Sequence, residues 1–190
     1  MEEKKEKFGV EAVKTVAILV AICVVCAFIL ALCNDVFYVS PQELTARKLK
    51  MVYPEFEMDD SFDGQLNQEF SVHAEYGTVT EVYRSTDGAY VIKAVGKGGY
   101  GEKGVDVLAS LKDGCIAGWT VTDWRGETLS SNFTSKHFST WYVGSPSDRV
   151  FSASTDGLVS GTTMSSKAIA NAMNAICYYY NNVLSAQKEV

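Results

Sequence analysis

The longest hydrophobic stretch in the chain lies near its start, from Val13 to Leu32. It contains one charged residue, Lys14, and the next charge along the chain is Asp35. At a rise of about 1.5 Å per residue, a helix of this length crosses the roughly 30 Å hydrocarbon core of a bilayer. The pattern therefore predicts one transmembrane helix over residues 13–33.

The charges that flank this helix predict its orientation. Four lysines lie before or at the start of the apolar run, whereas Asp35 follows it, and lysine-rich flanks stay in the cytoplasm. We therefore expect residues 1–12 in the cytoplasm and an extracytoplasmic domain over residues 34–190, anchored in the cell (inner) membrane. A cleaved signal peptide and a lipoprotein site at Cys33 are the alternatives. We favour the uncleaved anchor, because the run is long for a signal peptide and no small-x-small cleavage site follows it.

The rest of the chain changes from a helical to a strand-like pattern. Residues 41–57 predict a short amphipathic helix that Pro54 ends. Its apolar residues recur at helical spacing: Leu44, Leu49, Val52 and Phe56. From about residue 70 to 124, stretches of apolar and polar residues alternate with a period of two, as in strands. Turn signals separate these runs and predict an antiparallel meander, at Asp87-Gly88 and Asp113-Gly114.

A further helix is predicted near the C-terminus. Its apolar residues recur in steps of three or four and form one stripe, made by Ile169, Met173, Ile176, Tyr180 and Leu184. Such a stripe packs on a sheet, and the start of the helix then faces one end of that sheet. The combined pattern predicts an α+β fold, with an antiparallel sheet, flanking helices and one N-terminal membrane anchor.

Charge and composition exclude some functions. The net charge of −6 argues against a nucleic-acid partner, because binding phosphates requires a basic surface. The acidic segment 59–64 lacks the ligand order of an EF-hand, so we expect a solvated loop and no metal site. Cys23 and Cys26 lie within the apolar helix, where we interpret them as small packing residues. Whether Cys115 and Cys177 pair depends on their separation in the fold.

Small and hydroxyl-bearing residues dominate the segment 156–167, just before the C-terminal helix. Backbone N–H groups at a helix start lack partners, and together with the positive end of the helix dipole they favour a bound phosphate. The simpler interpretation is an ordinary loop in which Ser165 or Ser166 caps the helix. Local sequence alone leaves both interpretations open.

Within that segment, Ser160-Gly161-Thr162-Thr163 resembles the S/T-G-A-T motif of the FMN-binding domain of Rnf complex G subunits and NqrC, and the chain is closest to the Rnf G subunit. The resemblance implies that Thr163 carries FMN through a phosphoester to its hydroxyl. It also implies that an ApbE-type flavin transferase attaches the FMN after recognising Asp156 and the motif. Thr162, which stands where the family has Ala, is the competing acceptor. The expected cofactor-binding residues around the acceptor are Ser160, Gly161, Thr162, Ser166 and Lys167.

Two other stretches are similar to the same family. Glu127-Thr128-Leu129 resembles the first part of an E-T-P-G-L-G loop that lies against the flavin, so these three residues are expected to contact FMN. A plain turn after Gly126 is the simpler alternative. Gly96-Lys97-Gly98-Gly99-Tyr100-Gly101 resembles a G-K-G-Y-G stretch of the same family. We interpret the glycine-rich run 96–104 as a bulged or irregular start of a strand. Three aromatic residues near these segments either pack on the flavin or fill the core: Trp124, Phe138 and Trp141. His137 has no obvious ligand partner in the sequence, so we expect it to have a surface or core role rather than a chemical one.

The resemblance implies an electron-transfer subunit of a membrane ion-translocating ferredoxin:NAD oxidoreductase, the Rnf complex. Its covalent FMN relays single electrons, and other membrane subunits of the complex couple that transfer to Na⁺ or H⁺ transport. No nucleophile–base set is evident, so we do not expect catalysis by the chain alone. Two alternatives remain. One is a membrane-anchored extracytoplasmic sensor or ligand-binding module without covalent flavin, and the other is a flavin-bearing reductase domain that acts without Rnf partners.

Overall fold

The computed structural model describes residues 2–62, 75–133 and 138–185. The chain divides into two compact units, Met1–Leu44 and Thr45–Val190. The first unit consists mainly of helix α1 (Glu2–Phe37), which is 36 residues long. Its segment Val13–Asn34 has a mean hydropathy of 3.3 and is not buried. The chain therefore has one N-terminal helix that is long and apolar enough to span a membrane, as the hydrophobic pattern predicts.

The second unit is built on a four-stranded antiparallel sheet. Its strands lie side by side in chain order: β1 (Gly77–Arg84), β2 (Tyr90–Gly96), β3 (Val105–Lys112) and β4 (Cys115–Asp123). This order confirms the predicted meander. Between β3 and β4, Asp113 and Gly114 have φ values of 51° and 77°, the left-handed pair that a type I′ hairpin turn requires. The predicted strand region starts near residue 70, and residues 63–74 lie outside the described residues.

Helix α4 (Thr163–Tyr179) covers one face of the sheet, and a π-helical turn, Tyr180–Leu184, continues it. The whole predicted apolar stripe is buried in the main core. The helix backbone approaches the sheet closely at Gly96, where a Cβ atom would lie 1.8 Å from the carbonyl oxygen of Ala168. Because only glycine permits this approach, the sequence fixes the second turn of α4 over the end of β2.

The opposite face of the sheet packs against the second half of helix α2 (Pro41–Val52) and the turn that follows it. The helix ends at Val52, two residues before Pro54, because a proline disfavours the helical conformation for the residue before it, here Tyr53. Leu44 belongs to the predicted apolar stripe but is 48% exposed. The second core comprises Leu49, Val52, Tyr53, Phe56, Ala89, Val91 and Leu108.

The glycine-rich run forms the connection between β2 and β3. It contains a short 3-10 turn, Tyr100–Glu102, and the Gly104 N–H donates to the Gly98 carbonyl oxygen at 2.7 Å. The Asn171 side chain on α4 donates to the Lys97 carbonyl oxygen at 2.9 Å. The glycines therefore make an irregular lead into β3, as predicted, and this connection is hydrogen-bonded to α4.

The segment from β4 to α4 contains three short helical turns, Ser130–Phe133, Phe138–Thr140 and α3 (Ala153–Asp156). Cys115 on β4 is exposed and Cys177 on α4 is buried, and both are free thiols rather than a disulfide. In the acidic turn, Asp59 pairs with Arg84 at 2.7 Å and accepts the Ser61 N–H at 3.0 Å. Asp59 therefore has structural partners within the fold, and residues 63 and 64 of that predicted turn lie outside the described residues.

Candidate functional site

Helix α4 begins at Thr163, and Thr162 is its N-cap residue. The interpretation that Ser165 or Ser166 caps the helix is therefore wrong, since both serines lie inside its first turn. The Thr162 side chain makes no capping hydrogen bond, so the N-cap does not satisfy the first-turn N–H groups. Backbone N–H groups at such a helix start favour a nearby anion.

The two adjacent threonines have different environments. Thr162 is 3% exposed, and its hydroxyl donates to the Val159 carbonyl oxygen at 3.1 Å. Its backbone N–H donates to the same oxygen, also at 3.1 Å. Thr163, by contrast, is exposed. Because a modifying enzyme has to reach the acceptor hydroxyl, this geometry favours Thr163 over Thr162.

Ser166 holds the preceding loop against α4. Its hydroxyl donates to the Thr162 carbonyl oxygen at 3.1 Å and accepts the Val159 N–H at 3.2 Å, and the residue is fully buried. Ser166 therefore stabilises the loop from inside the fold. Gly161 has a φ of 84°, which lets the chain turn into the helix. Two further predicted residues are exposed at this end of the domain, Ser160 and Lys167.

The loop that carries Glu127 lies against the first turn of α4. Glu127 Oε2 accepts a hydrogen bond from the Ser165 hydroxyl at 2.5 Å, and Oε1 accepts the Leu129 N–H at 2.8 Å. These bonds lower the pKa of the Glu127 carboxyl, with the Ser165 bond as the largest cause. The sequence does not single out Ser165 as a partner, and the only local signal is a small hydroxyl in the first helical turn.

The two predicted segments, residues 127–129 and 160–163, therefore meet at one end of the domain. Thr128 is exposed, Leu129 is 45% exposed, and a Leu129 methyl group lies 4.0 Å from where a Cβ on Gly161 would stand. The neighbouring residues in sequence, Leu158 and Met164, also expose large apolar side chains. An exposed hydroxyl, an uncapped helix start and exposed apolar side chains fit a phosphate-bearing, ring-shaped cofactor.

Asp156 lies on α3, a few residues before the threonines. Its carboxylate pairs with the Arg149 guanidinium and accepts bonds from the Ser152 N–H at 2.8 Å and the Thr155 hydroxyl at 2.9 Å. The Asp156 side chain is 7% exposed. These contacts stabilise α3 and the chain that leads to Thr163, while recognition of Asp156 by a transferase stays a prediction.

The aromatic residues of this region pack on one another. Ring centroids of Phe138 and Trp141 lie 5.0 Å apart, and those of Trp124 and Phe138 lie 6.4 Å apart. All three rings are partly buried against the main core. Trp141 also lies against Gly157, where a Cβ would come within 2.1 Å of the ring. These rings therefore support the loop before Thr163, and His137 lies outside the described residues.

Comparison with known proteins does not assign this chain to a family. No family model matches it, and no curated protein matches it. Function is therefore inferred from the geometry at the start of α4 and from the resemblance of the Ser160 to Thr163 motif.

Proposed function

We propose that this chain is a membrane-anchored electron carrier that holds FMN covalently through a phosphoester to Thr163. In this proposal it is the electron-transfer subunit of an Rnf-type ferredoxin:NAD oxidoreductase. The observation that carries the proposal is the contrast at the start of α4, where Thr163 is exposed and the Thr162 hydroxyl is buried and already donating. A phosphate on Thr163 is next to the positive end of the helix, which favours its charge.

Attachment is a phosphoryl transfer by an ApbE-type flavin transferase. The Thr163 hydroxyl oxygen forms a bond to the FMN phosphorus of a flavin dinucleotide, the pyrophosphate bond breaks, and the nucleoside monophosphate leaves. The hydroxyl proton passes to the transferase, and no group is oxidised or reduced. In this step the exposed Thr163 presents the acceptor hydroxyl, and the hydrogen bonds of Asp156 stabilise the chain before it.

Bound FMN supplies electron transfer, and the chain tunes it by contact, hydrogen bonding and burial. Leu158 and Met164 lie within five positions of the acceptor in sequence, Leu129 lies near Gly161, and all three expose apolar side chains. Glu127 fixes its loop against α4 through Ser165. These residues orient the cofactor and exclude water from part of its surface, whereas Lys167 adds a positive charge in the first turns of α4.

Helix α1 places the carrier at a membrane surface in this proposal. The lysine-rich N-terminus lies in the cytoplasm and the FMN domain lies outside it. A covalent bond prevents loss of the cofactor from an extracytoplasmic domain, and electrons pass to and from other membrane subunits of the Rnf-type complex.

The test is flavin fluorescence of the denatured chain after coexpression with an ApbE-type flavin transferase. Thr163→Val abolishes the fluorescence, whereas Thr162→Val, a matched change at the next residue, retains it. Circular dichroism checks that both variants are folded. Flavin retained in Thr163→Val and lost in Thr162→Val moves the acceptor to Thr162. If the unaltered chain carries no flavin although the transferase modifies a control substrate, the result supports the anchored ligand-binding module instead.

A further inference from the structure

The turn just before Glu127 has an unfavourable backbone conformation. The Glu127 N–H donates to the Trp124 carbonyl oxygen at 3.1 Å, which closes a four-residue turn. Its two central residues, Arg125 and Gly126, have φ values of 46° and 99°. Positive φ is routine for glycine but disfavoured for arginine, because its Cβ crowds the backbone. Contacts outside the turn must therefore hold Arg125 in place.

Two aspartates supply those contacts. The Arg125 N–H donates to Asp123 Oδ1 at 2.8 Å, and the Arg125 guanidinium pairs with the carboxylate of Asp106 on β3. The Asp106 side chain is only 7% exposed, and Lys93 Nζ lies 3.6 Å from its other oxygen. A buried carboxylate is costly without its cationic partners, so loss of Arg125 is expected to disturb this end of the sheet.

The ion pair lies at one end of a continuous chain of contacts that reaches α4. Asp106 holds Arg125, the turn carries Glu127, and Glu127 accepts the Ser165 hydroxyl in the first turn of α4. We propose that Arg125, held by Asp106, is a positioning residue for flavin attachment at Thr163. It fixes the Glu127 loop against the start of α4. The loop and the helix start together form the surface around Thr163 that the transferase binds. This inference rests on the proposed function.

The experiment measures the rate at which a purified ApbE-type transferase modifies the purified full chain in detergent, followed by intact mass. Arg125→Ala lowers kcat/KM for the chain roughly tenfold or more, as expected when an acceptor is misplaced. Arg125→Lys keeps a cation near Asp106 and restores part of the rate. The matched control is Arg84→Ala, which also breaks an Arg–Asp pair; the Arg84 side chain is 32% exposed and the Arg125 side chain 38%. It lies on β1, at the opposite edge of the sheet from β4, and leaves the rate unchanged.

A second readout separates positioning from general loss of stability. Hydrogen exchange at the Leu129 amide, which Glu127 holds in the folded chain, becomes faster in Arg125→Ala and stays unchanged in Arg84→Ala. Equal modification rates for Arg125→Ala and the unaltered chain overturn this inference alone. So does a rate that falls equally in the Arg84 variant. An unaltered chain that accepts no flavin overturns the proposed function, and the inference with it.

Discussion

Replacing Gly96 by alanine tests whether the contact between β2 and α4 sets both the stability of the domain and the presentation of Thr163. A Cβ at Gly96 would lie 1.8 Å from the Ala168 carbonyl oxygen and 2.7 Å from the Ala172 nitrogen. Ordinary contact begins near 3.4 Å, so the first pair must separate by about 3.4 − 1.8 = 1.6 Å. Both contacted atoms belong to the backbone of α4, so the helix itself has to move.

Overpacking typically costs about 1–3 kcal/mol when neighbouring side chains can rearrange to relieve it. At Gly96 the added Cβ meets backbone atoms, so no side-chain rearrangement can relieve the clash. We therefore expect Gly96→Ala to lower the free energy of unfolding by about 3 kcal/mol or more. Urea unfolding followed by tryptophan fluorescence measures this change in the full chain, because all three tryptophans lie in the second unit. The same displacement of α4 slows flavin attachment to Thr163.

Gly118→Ala is the matched control. A Cβ there would lie 2.2 Å from the Val52 carbonyl oxygen, a comparable backbone clash on the opposite face of the sheet. It destabilises the domain without moving α4, so the rate of flavin attachment to the folded chain is retained. A free energy of unfolding for Gly96→Ala within about 0.5 kcal/mol of the unaltered chain would contradict this expectation. So would a Gly118→Ala variant that slows flavin attachment as much as Gly96→Ala does.

Two further predictions concern ionisation and thiol access. Hydrogen bonds from Lys112 Nζ at 2.7 Å and the Tyr53 hydroxyl at 2.5 Å hold the pKa of Asp87 below its ordinary value. The stabilisation is therefore present above the unfolded pKa of about 3.9 and is lost as pH falls through the folded pKa. Asp87→Asn should flatten the acid side of the stability curve measured by urea unfolding, and superimposable curves contradict this. Cys115 should react with a maleimide in the folded chain, whereas Cys177, 2% exposed and with its thiol pKa raised by burial to about 12, should react only after unfolding. Peptide mapping that finds both labelled equally in the folded chain contradicts this.

The sheet and its covering helix are predictable because their signals are local. Two-residue turn signals and period-two alternation determine the hairpins, and the spacing of the α4 stripe determines which side of the helix is buried. The last residue of α2 is harder to predict. The apolar spacing continues past Pro54, but the helical backbone ends before this proline. The pattern therefore locates elements better than it locates their ends.

The candidate site is less predictable because its contacts join distant parts of the chain. The Ser165 hydroxyl meets Glu127 across 38 positions, and the pairing depends on how α4 lies on the sheet. Similarly, the segment 160–166 offers several hydroxyls that can cap a helix. Tertiary contacts of Val159 and Ser166 select Thr162 as the N-cap and leave Thr163 exposed. No local sequence signal indicates the role of Arg125, because that role depends on its ion pair with Asp106, a buried residue on β3.

Peptide mass spectrometry of the full chain, purified after coexpression with an ApbE-type flavin transferase, tests the central claim most directly. Trypsin releases residues 150–167, a peptide that contains both Thr162 and Thr163. Covalent flavin on Thr163 predicts a mass increment equal to FMN less one water, with fragment ions that assign it to Thr163. An unmodified peptide, from cells in which the transferase modifies a control substrate, would contradict it.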